Sequence, residues 1–312
     1  MYTIIKPNNH DEWLRHRTGG IGSSEVGTIL GLNPFDTPYK LWRRKLGVDP
    51  PTPENFAMKA GHYLEDAVSR FYADETGKEI IKASAGDWLI VNNEKPHLRV
   101  SPDRTFWLPD KPKANHNKGI LECKTTQMEI DADNLPQYWF CQLQYQLGVA
   151  ELNQGAIAWL TMGRSFGYRD FVFDEDFFNF IVEEVDRFWT DNIVGRQEPL
   201  PINAEDVMLK NPRHKAGKQV EADWELFKQY HEIKELKGKI NELTARKSAI
   251  EDEMKLTMGD AEALVYGKET LATWKSAKDK PKFDEKGFSF AHPELYAEFQ
   301  KTTPSSRRFL LK

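Results

Sequence analysis

From residue 119 to 126 the chain reads Gly-Ile-Leu-Glu-Cys-Lys-Thr-Thr, an apolar and β-branched run with opposite charges at alternate positions. Successive side chains of a strand point to opposite faces. Ile120, Glu122 and Lys124 therefore share one face, and Leu121, Cys123 and Thr125 share the other. The runs at 87–91 (DWLIV), 97–101 (HLRVS) and 104–108 (RTFWL) are also short, apolar-rich and bounded by turn residues, so the four together read as a meander of strands. A carboxylate and an ammonium inside such a sheet are costly unless each finds a partner. Taken alone, the run reads as a solvated ion pair on an exposed sheet face; the alternative is a polar pocket on one face, which the residues gathered around it favour.

The surrounding elements suit that sheet. Closely spaced glycines at 19, 20 and 22 precede Ser23, Ser24 and an apolar pattern at Val26, Ile29 and Leu30, which predicts a loop entering a short helix that stops at Gly31. Residues 50–53 (PPTP) form a connection, and Leu64, Val68, Phe71 and Tyr72 keep helical spacing up to Gly77. After the charged strand, residues 134–149 predict a helix with Leu135, Trp139, Leu143 and Leu147 on one face. Two further strands follow at 155–162 and 168–174. Then comes an amphipathic helix with Phe177, Phe178, Ile181, Val182, Val185, Phe188 and Trp189 at helical period. Residues 1–203 thus read as an α+β domain, a central mixed β-sheet flanked by helices.

Beyond residue 203 the texture changes. Residues 204–218 read as a basic linker and 219–258 as one long charged helix. In that helix Leu226, Tyr230, Ile233, Leu236, Ile240, Leu243, Ile250 and Met254 nearly keep a heptad alternation, broken by Lys247. The helix can serve as a coiled coil or fold back on its own domain. The tail to residue 312 reads as a small strand-helix-strand unit.

Composition bounds the function. No apolar run approaches the roughly 18 residues of a membrane span, and the N-terminus lacks the pattern of a signal peptide, so a soluble cytoplasmic protein is expected. Cys123 and Cys141 are the only cysteines, too few for a disulfide framework or an iron–sulfur site. Residues 1–209 hold 22 Lys and Arg against 31 Asp and Glu, whereas residues 210–312 hold 21 against 17. A balance of −9 followed by +4 argues against a broad basic surface on the first part. Any contact with nucleic acid there must come from local clusters or bound metal.

Four features collect around the charged strand. Asp103 ends a strand in Ser101-Pro102-Asp103, and the turn-rich insertion at 108–119 suits a long hairpin that returns beside Glu122. Two carboxylates converging with a lysine suit a hard divalent cation such as Mg²⁺, which accepts phosphate oxygens as further ligands. Glu65, with Asp66 equally available beside it, lies on the helix after Gly61 and offers a third carboxylate. Tyr138, Gln142 and Tyr145 form a polar-aromatic helix face that could border the same cleft. Arg15, Arg17, Ser23 and Ser24 accompany the glycine-rich loop at a helix start, an arrangement that holds anions such as phosphate.

These motifs, in their order, resemble the YqaJ and lambda-exonuclease family of phage recombination nucleases, within the superfamily with a PD-(D/E)xK active site. The elements are Trp13, Arg17, Gly19 and Ser24; Gly61 and Glu65; Ser101-Pro102-Asp103; Leu121-Glu122 with Lys124; and Gln142 with Gln144-Tyr145. The resemblance covers about residues 10–195 and implies a restriction-endonuclease-like core. It implies that Asp103, Glu122 and the backbone carbonyl of Cys123 hold Mg²⁺, with Mn²⁺ as a substitute, and that Glu65 lies at a second metal position. Lys124 would orient or activate the attacking water and Gln142 would support that water or the metal shell. Arg17 would grip a 5′-phosphate with Ser24 or Ser23, and Ser101 would contact the DNA backbone.

The family implies an exonuclease acting on double-stranded DNA ends in the 5′ to 3′ direction. A trimeric ring and a single-strand annealing partner accompany that expectation. The alternatives are an endonuclease of the same superfamily and a non-catalytic DNA-binding or assembly protein. The latter would be marked by loss of Asp103, Glu122 or Lys124, and all three are present.

Overall fold

A computed structural model describes residues 1–50, 53, 55–81, 88–301 and 307–311. Part of the expected 50–53 connection and the start of the expected strand at 87 lie outside these residues. The chain divides into two compact units, Met1–Asn211 and Pro212–Lys312.

The first unit begins with β1 (Tyr2–Ile5), α1 (His10–Thr18), β2 (Ile21–Gly22), α2 (Ser23–Ile29), α3 (Pro38–Lys45) and α4 (Phe56–Thr76). There follow β3 (Ile80–Ile81), β4 (Leu89–Asn92), β5 (Leu98–Val100), β6 (Arg104–Trp107), β7 (Lys118–Thr126) and α5 (Gln137–Val149). The unit closes with β8 (Gln154–Thr161), β9 (Ser165–Val172), α6 (Glu175–Arg187) and α7 (Ala204–Lys210). A π-helical turn, Phe188–Val194, continues α6.

The expected meander divides into two sheets. One has the order β3-β6-β7-β8-β9 and the other β1-β4-β5-β2. The break falls at Pro102, which has no N–H to offer a ladder and so ends the β5 pairing before β6 begins. In the five-stranded sheet only β7 and β8 run parallel, with Glu122 beside Ile157 and Lys124 beside Trp159. A parallel pair needs a crossover, and α5 supplies it.

The faces of β7 follow the alternation expected from its sequence. Leu121 and Cys123 pack with Val68 and Tyr72 of α4, Phe106, Ala156 and Ala158. Ile120 packs on the opposite side with Leu143 and Leu147 of α5, and the same core takes in Ile21, Ile90 and Val100 from the four-stranded sheet. Helix α5 therefore runs through the larger core and is buried around most of its circumference. Helix α2 lies close along it. An ideal Cβ on Gly27 would stand 2.5 Å from the Tyr138 Cβ, so only glycine permits this approach.

Residues 204–210, expected as linker, form α7 and belong to the first unit. Asn203 caps the helix by accepting from the Asp206 N–H. The buried Asp206 carboxylate accepts from the Thr37 hydroxyl at 2.8 Å and the Ile202 N–H at 3.1 Å.

The second unit contains α8 (Trp224–Met258), β10 (Ala263–Tyr266), β11 (Glu269–Thr273), α9 (Glu285–Ala291) and α10 (Pro293–Phe299). Helix α8 starts at Trp224 rather than 219, because Asp223 caps it. The expected strand-helix-strand tail is instead a hairpin followed by two helices. Gly267, with φ +61°, turns the chain inside what reads as one apolar stretch. Among the described residues no helix is long and apolar enough to cross a membrane.

Candidate active site

Strands β6 and β7 pair antiparallel with Arg104 opposite Leu121, so the next step of the register brings Asp103 beside Glu122. The Asp103 Oδ2 accepts the Cys123 N–H at 2.8 Å. Burial, followed by the negative charges of Glu122 and Glu65, pushes the Asp103 carboxyl well above its ordinary range, against the pull of Lys124 and the Cys123 N–H.

Glu122 is 2% exposed, and both of its oxygens accept hydrogen bonds. Its Oε1 accepts from Lys124 Nζ at 2.7 Å and Gln142 Nε2 at 2.6 Å, and its Oε2 accepts from Gln146 Nε2 at 2.8 Å. Lys124 Nζ also donates to Gln142 Oε1 at 2.8 Å. Burial opposes the charge on Lys124, but the fields of Glu122 and Asp103 and the Glu122 hydrogen bond outweigh it and raise the ammonium above its ordinary value. Gln142 thus meets the carboxylate with its nitrogen and the ammonium with its oxygen, which fixes both ends of the pair.

Glu65 approaches from α4. Gly61 brings that helix near β7, where its ideal Cβ would lie 3.7 Å from the Thr125 hydroxyl. The Glu65 carboxylate meets His62 Nδ1 at 3.0 Å and Arg104 Nη1 at 3.7 Å. Asp66, the other acidic residue there, pairs with Arg70 at 2.5 Å.

A second cluster forms at the glycine loop. Arg17 stacks over the Trp13 ring, 5.0 Å from its centroid, and its Nη2 donates to Ser24 Oγ at 2.8 Å. Ser24 is exposed, whereas Ser23 is buried and accepts from Gln146 Nε2 at 3.2 Å. Of the two serines, Ser24 is the one bonded to Arg17. Glu25 caps the loop by accepting the Gly22 N–H at 2.8 Å. Lys45 Nζ reaches the Glu25 carboxylate at 2.8 Å and the Gly20 carbonyl at 2.6 Å. Burial lowers the Lys45 pKa, while the charge of Glu25 opposes the shift.

Two of the expected residues, Tyr145 and Ser101, occupy other settings. Tyr145 is fully buried, with its hydroxyl donating to the Ile21 carbonyl at 3.1 Å, so it holds α5 to β2 rather than bordering a cleft. Tyr138 packs its Cβ against Gly27 while remaining within electrostatic range of Lys124, as expected of a residue bordering the site. The Ser101 hydroxyl donates to the Trp88 carbonyl at 2.6 Å. Sequence reasoning missed Gln146 and Lys45. The spacing of Gln146, one helical turn from Gln142, was the available signal for the first; nothing in the sequence marked the second.

Among the described residues no group of three or more His, Cys, Asp or Glu side chains is gathered to hold a metal ion. The donors around Asp103 nevertheless suit one chemically. Asp103 Oδ1 accepts no hydrogen bond from the described residues, and hard oxygen donors with mutually repelling charges suit Mg²⁺.

Residues 12–153 match the YqaJ-like viral recombinase domain. The uncharacterised protein YqaJ of Bacillus subtilis (strain 168) is 30% identical over 318 residues, covering 97% of this chain and 94% of that protein. The chain belongs to the YqaJ family. All the quoted motifs, from Trp13 to Tyr145, fall inside the matched domain, and the similarity to the family member extends through the second unit. Two solved structures also overlap with this one. An alkaline exonuclease from Laribacter hongkongensis is 19% identical, with a TM-score of 0.47, over 64% of this chain and 96% of that chain. A phage-related exonuclease from Haemophilus somnus is 13% identical, with a TM-score of 0.39, over 57% and 96%.

Proposed function

We propose that this YqaJ-family chain is a Mg²⁺-dependent exonuclease that degrades duplex DNA from 5′-phosphorylated ends, leaving 3′ single strands for recombination. The observation that carries this reading is the Glu122 and Lys124 pair, bonded through Gln142 and Gln146, with Asp103 beside it across the sheet and Gln146 joined to Ser23 in the loop that bears Ser24. Asp103, Glu122 and the Cys123 carbonyl would hold Mg²⁺, with Glu65 at a second position and Mn²⁺ as a substitute. When bound there, the cation supplies positive charge to the phosphoryl oxygens.

The chain's own groups do the remaining work. Water attacks the phosphorus, the bond from phosphorus to the preceding O3′ breaks, and that O3′ leaves with a proton. Lys124, fixed between Glu122 and Gln142, presents positive charge where the phosphoryl group becomes more negative. Arg17 and Ser24 grip the terminal 5′-phosphate. Each cut yields a mononucleotide and a new 5′-phosphate, so the product end is again a substrate for that grip.

The trimeric ring and the annealing-protein contact belong to the same proposal. Leu236, Ile240, Leu243 and Ile250 of α8 are exposed and offer apolar surface for such contacts. Linear duplexes labelled at either end, with or without a 5′-phosphate, test the activity in Mg²⁺ and in EDTA. Release of 5′ label from phosphorylated ends only, with Mg²⁺ required, is expected. Digestion of closed circles would make the protein an endonuclease, and intact linear DNA under all conditions would leave a binding protein.

A further inference from the structure

Gln146 belongs to none of the family motifs quoted above, yet it is the group that touches both clusters. It is 0% exposed, and its two amide protons have two acceptors, Glu122 Oε2 at 2.8 Å and Ser23 Oγ at 3.2 Å. Its own oxygen is buried and finds no donor. An unsatisfied buried carbonyl is unfavourable, and a side chain retained in that state is held by what its nitrogen does. Ser23 adjoins Ser24, whose hydroxyl carries Arg17, and both serines sit in the first turn of α2. One turn further along, Gly27 packs that helix directly against Tyr138 of α5, so a shift of its first turn is felt at α5.

We infer that Gln146 is a positioning residue that couples occupancy of the Arg17–Ser24 pair to the placement of the Glu122 carboxylate. This inference rests on the function proposed above. A phosphate drawing on Arg17 and Ser24 shifts the first turn of α2, Ser23 moves with it, and the shared amide transmits the movement to Glu122 Oε2. No other side chain bonds Oε2 among the described residues. An end lacking the phosphate leaves Ser23 where it is, and Glu122 is then set less well for a cation. Coupling of this kind is reciprocal, so the cation should in turn favour the phosphorylated end.

The test titrates Ca²⁺ calorimetrically into the full chain saturated with a phosphorothioate-linked duplex that resists hydrolysis, bearing either a 5′-phosphate or a 5′-hydroxyl. In the wild-type protein the phosphorylated duplex should tighten Ca²⁺ binding by about fivefold or more. Gln146→Met removes the bridge at similar volume, and Ser23→Ala removes its other end from a different helix. Both should bring the ratio close to one while Ca²⁺ still binds. Ser23→Ala keeps the inference testable if Gln146→Met fails to fold.

A wild-type ratio that persists in the variants overturns the coupling and leaves the proposed activity standing. A wild-type ratio of one, with the phosphorylated duplex still bound more tightly, does the same. Equal affinity of the wild type for the two duplexes overturns end recognition and the coupling with it. Absence of Ca²⁺ binding in the wild type overturns the cation site and, with it, the coupling.

Discussion

At Asp103 the chain leaves one sheet and enters another, and the side chain accepts the N–H that a longer β6 would otherwise have paired. Removing that acceptor by Asp103→Ala should speed hydrogen exchange of the Cys123 amide by about tenfold, the value of one ordinary hydrogen bond. Two-dimensional amide spectra would show it, and unchanged exchange would place the Cys123 N–H on another acceptor. Lys124→Ala should abolish cleavage yet leave DNA-end binding, measured by gel shift in Ca²⁺. Undiminished Mg²⁺-dependent digestion would refute the role given to Lys124. Cys123 is a contrasting case between these two residues. Its thiol points into the α4-side core, where burial above all raises its pKa well above the ordinary thiol value. Cys123→Ala should therefore preserve cleavage and cost about 1 kcal/mol in thermal stability. A dead but folded variant would contradict that placement.

Among the elements, α2 depends on a glycine that no pattern in the sequence marks as special. Gly27→Ala would press a methyl into Tyr138, and overpacking of that kind costs about 1–3 kcal/mol. The melting temperature should fall and the preference for 5′-phosphate should weaken, since Ser23 and Ser24 move with the helix. The alternation of β7 was legible because period two leaves little choice of face, and Asp103 was legible because the hairpin had few other ways to close. The division of the meander was harder to see. Each strand looks alike in isolation, and only Pro102 marks the change of sheet. Helix α5 misled for a different reason. Its glutamines and Tyr145 look like a wetted face, but the helix is enclosed, and its buried side chains bond to distant parts of the chain, as Gln144 does by donating to the Val172 carbonyl at 3.0 Å. Helix α7 escaped notice because seven residues between Pro201 and Pro212 are too few to show a helical period and resemble a linker. Asn203 and Asp206, three apart, carried the capping signal.

At the scale of the molecule, the first compact unit runs to Asn211 and takes in α7. A chain stopping at residue 203 loses Asp206 and leaves the buried Thr37 hydroxyl without its acceptor, at a cost of about 1–3 kcal/mol before any loss of packing. It should melt below a chain stopping at residue 211, and equal melting temperatures would show α7 to be dispensable. The same contact orders events during synthesis. Thr37 caps α3 near the beginning of the chain, and its partner Asp206 lies 169 residues later. The four-stranded sheet likewise waits, since β1 needs β4 and β2 needs β5. A growing chain therefore leaves the ribosome with its early elements unclosed until α7 has emerged. At about 5–20 residues per second that is a wait of roughly ten seconds or more, and in its earlier part, before β4 and β5 emerge, the edges of β1 and β2 are exposed to chaperones and to neighbouring chains.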